Sequence, residues 1–506
     1  MVGSHVATTD NDNANTVNCI KGSYTNSYFF QTTYIDSTCK RVGSDSGYSV
    51  TMVYTISQQV NLEKHETICV WKEILLAVLV NLPFFTHGLE TTTLTSSVHS
   101  GHFITHNDTA WTTTAMVAGA GVAAPVFCYV VDSFGRMTGV FVVSMAQGVS
   151  LIPHFLLNRK NTYNIEIILH ILAGISSGGL FTVLPIYVRE ITTFRGFSTT
   201  LMVVMTTAGY MTKMITMEVR LYLMLALVMV QFLSMLMMVE SPSYLVMVEK
   251  YENARRNLSK LTLLAENDPF ISKEISNLKD ESDKARSNGK LSVCSVWRNK
   301  IWLDGFKIGI VLCTVTAICG SILFLDQQKT LMQLRVSADP ENTLVLSTLL
   351  AGSAFCLICA SVIEKKYLLT TGYIMMTIST GILAVYTQAD LTVTSLRWLP
   401  VYMLGVLVFA YGIAWGLPIV IMVELFNLEI RATLIGVIYA YSQILKLIHV
   451  HTFQYVEDYV GVYTMFYIFA GINLFGVVYT LFVVPDVRNR SVKQVERQLK
   501  RTPLPA

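Results

Sequence analysis

Two short runs of acid and base carry the most chemistry in this 506-residue chain. The first is Pro185-Ile186-Tyr187-Val188-Arg189-Glu190, then Arg195-Gly196; the second is Pro418, then Glu424-Leu425-Phe426, then Arg431. The order Pro, Glu, Arg thus occurs once in each half. Carboxylates and guanidiniums placed this way make ion pairs. Nothing beside them supplies a nucleophile, a phosphate-binding loop or a metal-ligand set, so no enzyme activity, cofactor or metal is expected. A second polar group is Tyr439, Ser442, Gln443, Lys446 and His449, whose steps of three and four share one helical face. These side chains can hydrogen-bond a polar solute, and Lys446 can pair with an anion. Of the nine cysteines, Cys356 and Cys359 form a C-x-x-C inside an apolar stretch, which predicts buried thiols, not a redox or zinc site.

The elements that position these groups are apolar. The chain is 52% hydrophobic and 14% charged, where soluble domains carry about 25% charged residues. Twelve apolar stretches lie at about 74–94, 110–131, 138–157, 164–188, 197–217, 221–238, 305–325, 343–363, 367–387, 398–422, 433–453 and 462–484. Each approaches the ~20 residues that cross a bilayer as a helix. The expected fold is an all-α membrane protein with twelve transmembrane helices in two six-helix halves. The halves are 74–238 and 305–484, joined by a cytosolic loop, 239–304, with short amphipathic helices on the inner membrane surface. Residues 1–73 and 485–506 read as cytosolic tails, the first of them disordered. Asn81, Pro83, His87 and Gly88 interrupt the first span and predict a broken helix of the kind that lines cavities. The Met235–Met238 run reads as packing. The formal charge of +3 gives no reason to expect nucleic acid; the expected partners are a small solute and the lipid bilayer.

Orientation follows from Lys and Arg. With both termini in the cytosol, the inner loops and C-terminal tail hold 23 basic residues and the outer side holds seven. No basic n-region precedes an apolar h-region, so the first span would itself be the insertion signal. Asn107-Asp108-Thr109 is the one glycosylation sequon on the predicted outer side.

At the loops the chain resembles the major facilitator superfamily and, within it, the sugar porter family. Asp132-Ser133-Phe134-Gly135-Arg136 resembles the family's D-R-x-G-R-R loop. Pro185, Tyr187, Glu190, Arg195 and Gly196 resemble P-x-Y-x-x-E…R-G. Glu240-Ser241-Pro242 resembles part of P-E-S-P-R-W-L. Glu424-Leu425-Phe426 and Arg431 resemble E-x-F-P-x-x-x-R, and Val484-Pro485-Asp486 resembles V-P-E-T-K-G-R-S. The resemblance implies a plasma-membrane carrier working by alternating access. Asp132, Gly135, Arg136, Glu190, Arg195, Glu240, Glu424 and Arg431 would form a cytosolic latch between the halves. Ser133, Met137, His170 and Ser243 stand where the family carries arginine.

The same resemblance implies a mid-membrane sugar site, much altered here. Val203 stands at the span-five glutamine position, with Thr207 and Gly209 after it. Of the span-seven motif only Gly320 remains. Trp415-Gly416-Leu417-Pro418 keeps one proline of G-P-I-P-W, and Ser442, followed by Gln443, replaces the span-eleven asparagine. The path candidates are therefore Thr207, Gly320, Trp415, Pro418, Tyr439, Ser442, Gln443 and Lys446. A lysine at mid-span costs ~2.5–3.5 kcal/mol on insertion scales. Lys446 either snorkels to an interface or faces a cavity. Three readings stand at this point: a facilitative carrier of a small polar solute such as a sugar, an organic-anion carrier using Lys446, and a non-transporting sensor of the same fold.

Overall fold

The computed structural model describes residues 71–94, 106–157, 163–192, 194–287, 300–321, 338–389, 398–428 and 430–486. The expected N-terminal tail up to residue 70 and the C-terminal tail beyond 486 lie outside the described residues, as do the side chains of the sequon. Sixteen α-helices and no strand occur among the described residues. The first half is α1 (Trp71–Leu94), α2 (His106–Phe134), α3 (Arg136–Leu157), α4 (Tyr163–Ile191), α5 (Arg195–Tyr210, extended by a 3-10 turn, Met211–Met214) and α6 (Met217–Met235). Three short helices follow: α7 (Pro242–Met247), α8 (Tyr251–Thr262) and α9 (Pro269–Ser287). The second half is α10 (Lys300–Ala317), α11 (Ala338–Ala360), α12 (Lys365–Gln388), α13 (Leu399–Ala414), α14 (Leu417–Leu425), α15 (Arg431–Val460) and α16 (Val462–Phe482). Counting α13 and α14 as one interrupted span gives twelve crossings, eight of them long and apolar enough individually to span a membrane.

Backbone polarity is satisfied inside each span, as hydrocarbon demands. Buried hydroxyls also turn back onto their own helix: Thr93 donates to Leu89 O at 2.8 Å, Thr182 to Gly178 O at 2.7 Å and Thr380 to Met376 O at 2.7 Å. Outer faces carry bare apolar side chains such as Val122, Val126, Met229 and Ile358, the surface that lipid covers.

Small residues set the closest crossings, as is usual where no water drives association. Gly174 and Gly178 of α4 rest on the Met116 and Ala120 carbonyls of α2. The second half repeats the arrangement: Gly352 of α11 rests on Phe409 O, and a Cβ at Gly412 would come within 2.6 Å of Leu349 O. Across the halves, α2 packs along α15 and α5 along α11.

One local expectation is corrected. The first span is one continuous helix, because its apparent breakers have other partners. Gln147 donates to Pro83 O at 3.0 Å, Asn81 donates to Ser198 O at 3.1 Å, and Gly88 lets α5 approach, with Gly209 Cα 2.9 Å from where its Cβ would be. The break falls instead in the tenth span, at Trp415-Gly416, where Pro418 has no N–H to continue the ladder and Gly416 abuts Val203 of α5. In the methionine run Met235 is buried and Met238 packs beside it, as a packing role asks, but Leu236 and Met237 are 82% and 81% exposed where α6 ends.

The helices α7–α9 pack on one another over a small core of Leu245, Val246, Ala254, Ile271 and Ile275. Ser241 caps α7 by accepting from Tyr244 N at 3.2 Å.

Alanine at Gly178 or Gly412 is expected to cost about 1–3 kcal/mol by overpacking, lowering the unfolding midpoint in detergent. Gly405→Ala, where a Cβ meets nothing within 4 Å, should leave the midpoint unchanged.

Candidate functional site

At one end of the spans, the side expected to be cytosolic, the carboxylate of Glu190 is only 2% exposed and is held by both halves. Its Oε1 accepts from Arg431 Nη1 of α15 at 3.0 Å. Its Oε2 accepts from Ser241 Oγ at 2.6 Å and lies 3.4 Å from Arg136 Nε. Arg136 also donates through Nη1 to Val131 O at 3.1 Å and to Asp132 Oδ1 at 3.3 Å, and its guanidinium lies 5.0 Å from the Tyr244 ring centroid. A second cross-half bond runs from Thr433 Oγ1 to Asp132 Oδ2 at 3.3 Å. Arg431 is fixed from behind by Nε donation to Phe426 O at 3.2 Å. Helix ends position every member: Glu190 closes α4, Arg136 opens α3 and Arg431 opens α15.

Glu240 belongs to the same region but works within the first half. Its Oε1 accepts the N–H groups of Arg136, Met137 and Ser241 at 3.0, 3.1 and 3.0 Å, capping the start of α3. Burial pushes its carboxyl up from the ordinary carboxylate range, against the pull of those three N–H groups. Gly135, at φ +112°, makes this possible, since a Cβ there would sit 2.5 Å from Glu240 Oε2.

The two remaining latch candidates pair elsewhere. Glu424 is ion-paired with Lys365 at the start of α12, inside its own half. Arg195 is mostly exposed and reaches Glu274 of α9 at 3.8 Å. One participant escaped sequence reading altogether. Glu281 of α9 lies near the Leu428 backbone in the α14–α15 turn and beside Arg189 at the end of α4. It thus touches both halves; burial pushes its carboxyl up while Arg189 draws it down.

The centre of the molecule is aromatic. Phe181 of α4 stacks on Tyr439 of α15 at 6.1 Å and 18°, and meets Phe84, His87 and Trp415 at 5.4, 5.5 and 6.0 Å. Thr207 bonds Ser353 Oγ at 2.7 Å, joining α5 to α11 across the halves. Pro418 is buried in the first turn of α14, and Ser442 and Gln443 are buried on α15. Gly320 takes φ +101° just past α10, where a Cβ would be 3.2 Å from the Phe469 ring. Trp415 Nε1, Gln443 Nε2 and His449 Nε2 are buried without a hydrogen-bond partner. His87 and Glu90 form a buried pair at 3.9 Å, with Ser150 donating to Glu90. Lys307 is exposed and pairs with Asp304 at 3.6 Å, an anchor outside the path. At the outer end, Thr114 bonds His451 Nε2 at 2.7 Å, again joining α2 to α15. An apolar groove of about 420 Å³, lined by Thr377, Ile378, Gly381 and Leu399 among others, contains none of these groups.

The family model "Sugar (and other) transporter" matches residues 45–499. The chain belongs to that family. It is therefore a membrane carrier of the major facilitator fold and not an enzyme. It is 25% identical over 401 residues to the glucose transporter GlcP of Staphylococcus epidermidis, covering 76% of this chain and 86% of that one. It is 23% identical over 278 residues to the facilitated trehalose transporter Tret1 of Bombyx mori, 53% and 54% of the two chains. Among solved structures, the proton:xylose symporter XylE bound to 6-bromo-6-deoxy-D-glucose superposes with a TM-score of 0.70 at 15% identity, covering 84% of this chain and 99% of that one.

Glu190→Gln and Arg431→Gln each break a buried pair that spans the halves, a loss of ~3–5 kcal/mol in such settings. Both should expose the native thiol of Cys128, which is buried against Gly436 of α15 one turn from Asp132, to an impermeant maleimide on the cytosolic side. Glu424→Gln, whose partner lies in its own half, should raise labelling less. Alkylation rates in a background retaining only Cys128 measure the difference.

Proposed function

We propose that this protein moves a sugar-sized polar solute across the plasma membrane by alternating access, without need of a coupled ion. Trp415 Nε1 and Gln443 Nε2 carry the reading. Both are buried donors near the junction of the halves, and neither has a protein partner. Buried polar groups are nearly always paired, and a solute hydroxyl or carbonyl oxygen is a natural partner for a donor that the fold leaves open. The aromatic faces of Phe181 and Tyr439 offer the apolar side of such a site, suited to the C–H face of a sugar ring. The family and the relatives named above support a sugar over other small solutes.

The latch supplies the second half of the mechanism. Asp132, Gly135, Arg136, Glu190, Glu240 and Arg431 hold the cytosolic ends together while the solute site faces outward. Lys365 with Glu424, and Arg195 with Glu274, brace the ends from within each side. Separation of Glu190 from Arg431 lets water reach both ions and opens the inner path. Exposed pairs are worth only ~0–1 kcal/mol, so the hydrated open state and the paired closed state are close enough in energy for a solute to choose between them. The bias of basic residues supports a cytosolic position for both termini and α7–α9.

Purified protein in liposomes loaded with unlabelled hexose should take up labelled hexose by counterflow, with saturation and no imposed ion gradient. Gln443→Leu removes a donor without adding volume and should raise the half-saturation concentration about tenfold, the worth of one ordinary hydrogen bond. Uptake that does not saturate, or shows no counterflow, would contradict the carrier reading.

A further inference from the structure

We infer that the carried sugar is an acidic one, a monosaccharide bearing a carboxylate, and that Lys446 Nζ receives that carboxylate. The inference rests on the sugar-carrier reading and narrows it.

Lys446 stands in the middle of α15. Ile444 and Ile448, each two positions away and about 200° around the helix, are 57% and 52% exposed on the lipid side. Lys446 therefore shares the inward face with Tyr439 and Gln443. The ionisable groups that act on it are Cys313 in α10 and Cys319 just beyond, both buried. It makes no ion pair or hydrogen bond among the described residues. Lys446 is part-buried, and the fully buried bases among the described residues each have an oxygen partner: Arg136 and Arg431 share Glu190, Lys365 has Glu424, and Arg220 donates to Thr92 O at 3.0 Å. Lys446 has neither a counter-charge nor a hydrogen bond among the described residues, in the region where an unpaired cation is costly and often marks a solute path.

The neighbouring open groups point the same way. Gln443 and His449 lie one turn to either side of Lys446 and keep Nε2 open, as Trp415 keeps Nε1 open at the break of the tenth span. A wall of two N–H donors, an ammonium and an imidazole matches an acceptor-only group. A carboxylate is such a group at neutral pH, and its charge makes each of these hydrogen bonds stronger than the one a sugar hydroxyl oxygen would accept at the same place. The hydroxyls of an acidic sugar still find an acceptor, since Asn473 donates to Cys319 O at 3.0 Å and keeps its Oδ1 buried and open.

The test is uptake into liposomes at neutral pH of D-glucuronate, D-galacturonate and D-gluconate against D-glucose and D-galactose. The full-length protein, Lys446→Met and Lys446→Arg are compared. The expected result is that at least one acid outcompetes its neutral parent, that Lys446→Met lowers the acid-to-neutral ratio about tenfold to hundredfold, the worth of a charge-assisted hydrogen bond, and that Lys446→Arg restores most of it. Should Lys446→Met fail to fold, Lys446→Gln read against Lys446→Arg gives the same ratio. Saturable uptake of the neutral sugars alone would overturn the acidic-sugar inference and leave the carrier reading intact. Uptake of an acid with an unchanged ratio in the methionine variant would remove Lys446 from the site and overturn the inference. A folded protein that takes up none of the five would overturn both readings.

Discussion

The carboxylate of Glu190 is the point on which the two halves depend. It is almost wholly removed from water, and such a charge is tolerable only with close cationic partners. It has two, and they come from different halves: Arg136 opens α3 and Arg431 opens α15. The start of α7 joins through Ser241, so the linker between the halves reports to the same atom pair. Buried ion pairs add little net stability compared with apolar packing, but breaking one leaves a charge stranded. That makes the cluster a poor glue and a good selector. It penalises any partly open geometry that separates the arginines from Glu190 before water arrives.

The rest of the junction is built to allow such a choice. Where α2 runs along α15 and α5 along α11, the contacts are glycines, alanines, a thiol and single hydroxyl bonds such as Thr207 with Ser353. These surfaces can part without leaving many orphaned polar groups. In the first half the buried amide donors are used, Gln147 on Pro83 O and Gln231 on Thr86, while the Asn81, Gln147 and Gln231 carbonyls stay open. The second half leaves Trp415, Gln443 and His449 open. The open donors Trp415 Nε1 and Gln443 Nε2 thus lie on or beside the interrupted tenth span and α15, while the open amide oxygens of the first half are acceptors.

What could be read from sequence is what is one-dimensional. Apolar length gives the spans, and acids and bases at their ends give the loop motifs. Pairing is not one-dimensional. Glu424 and Arg431 share one motif, yet one turns to Lys365 in its own half and the other crosses to Glu190. Glu281 gave no signal in a loop of mixed charge; only the folding of α9 back across the span ends brings it to Leu428. Pro83 and Gly88 were ambiguous for a different reason. In a membrane helix a proline or glycine marks either a break or a close neighbour, and α5 decides the matter. Phe181 was invisible, since one phenylalanine among apolar residues looks like any other until four aromatic neighbours surround it.

The central claim is that Glu190 and Arg431 act as one unit in closing the cytosolic side. A double-mutant cycle over Glu190→Gln, Arg431→Gln and the pair tests it most directly, with spin labels at the cytosolic ends of α4 and α15 and the open fraction read from their distance distribution. Strong coupling is predicted, with the double variant no more open than the more open single one and an interaction energy above about 1.5 kcal/mol, at the lower bound for close charged pairs. Additive effects, or an open fraction unchanged in either single variant, would contradict it.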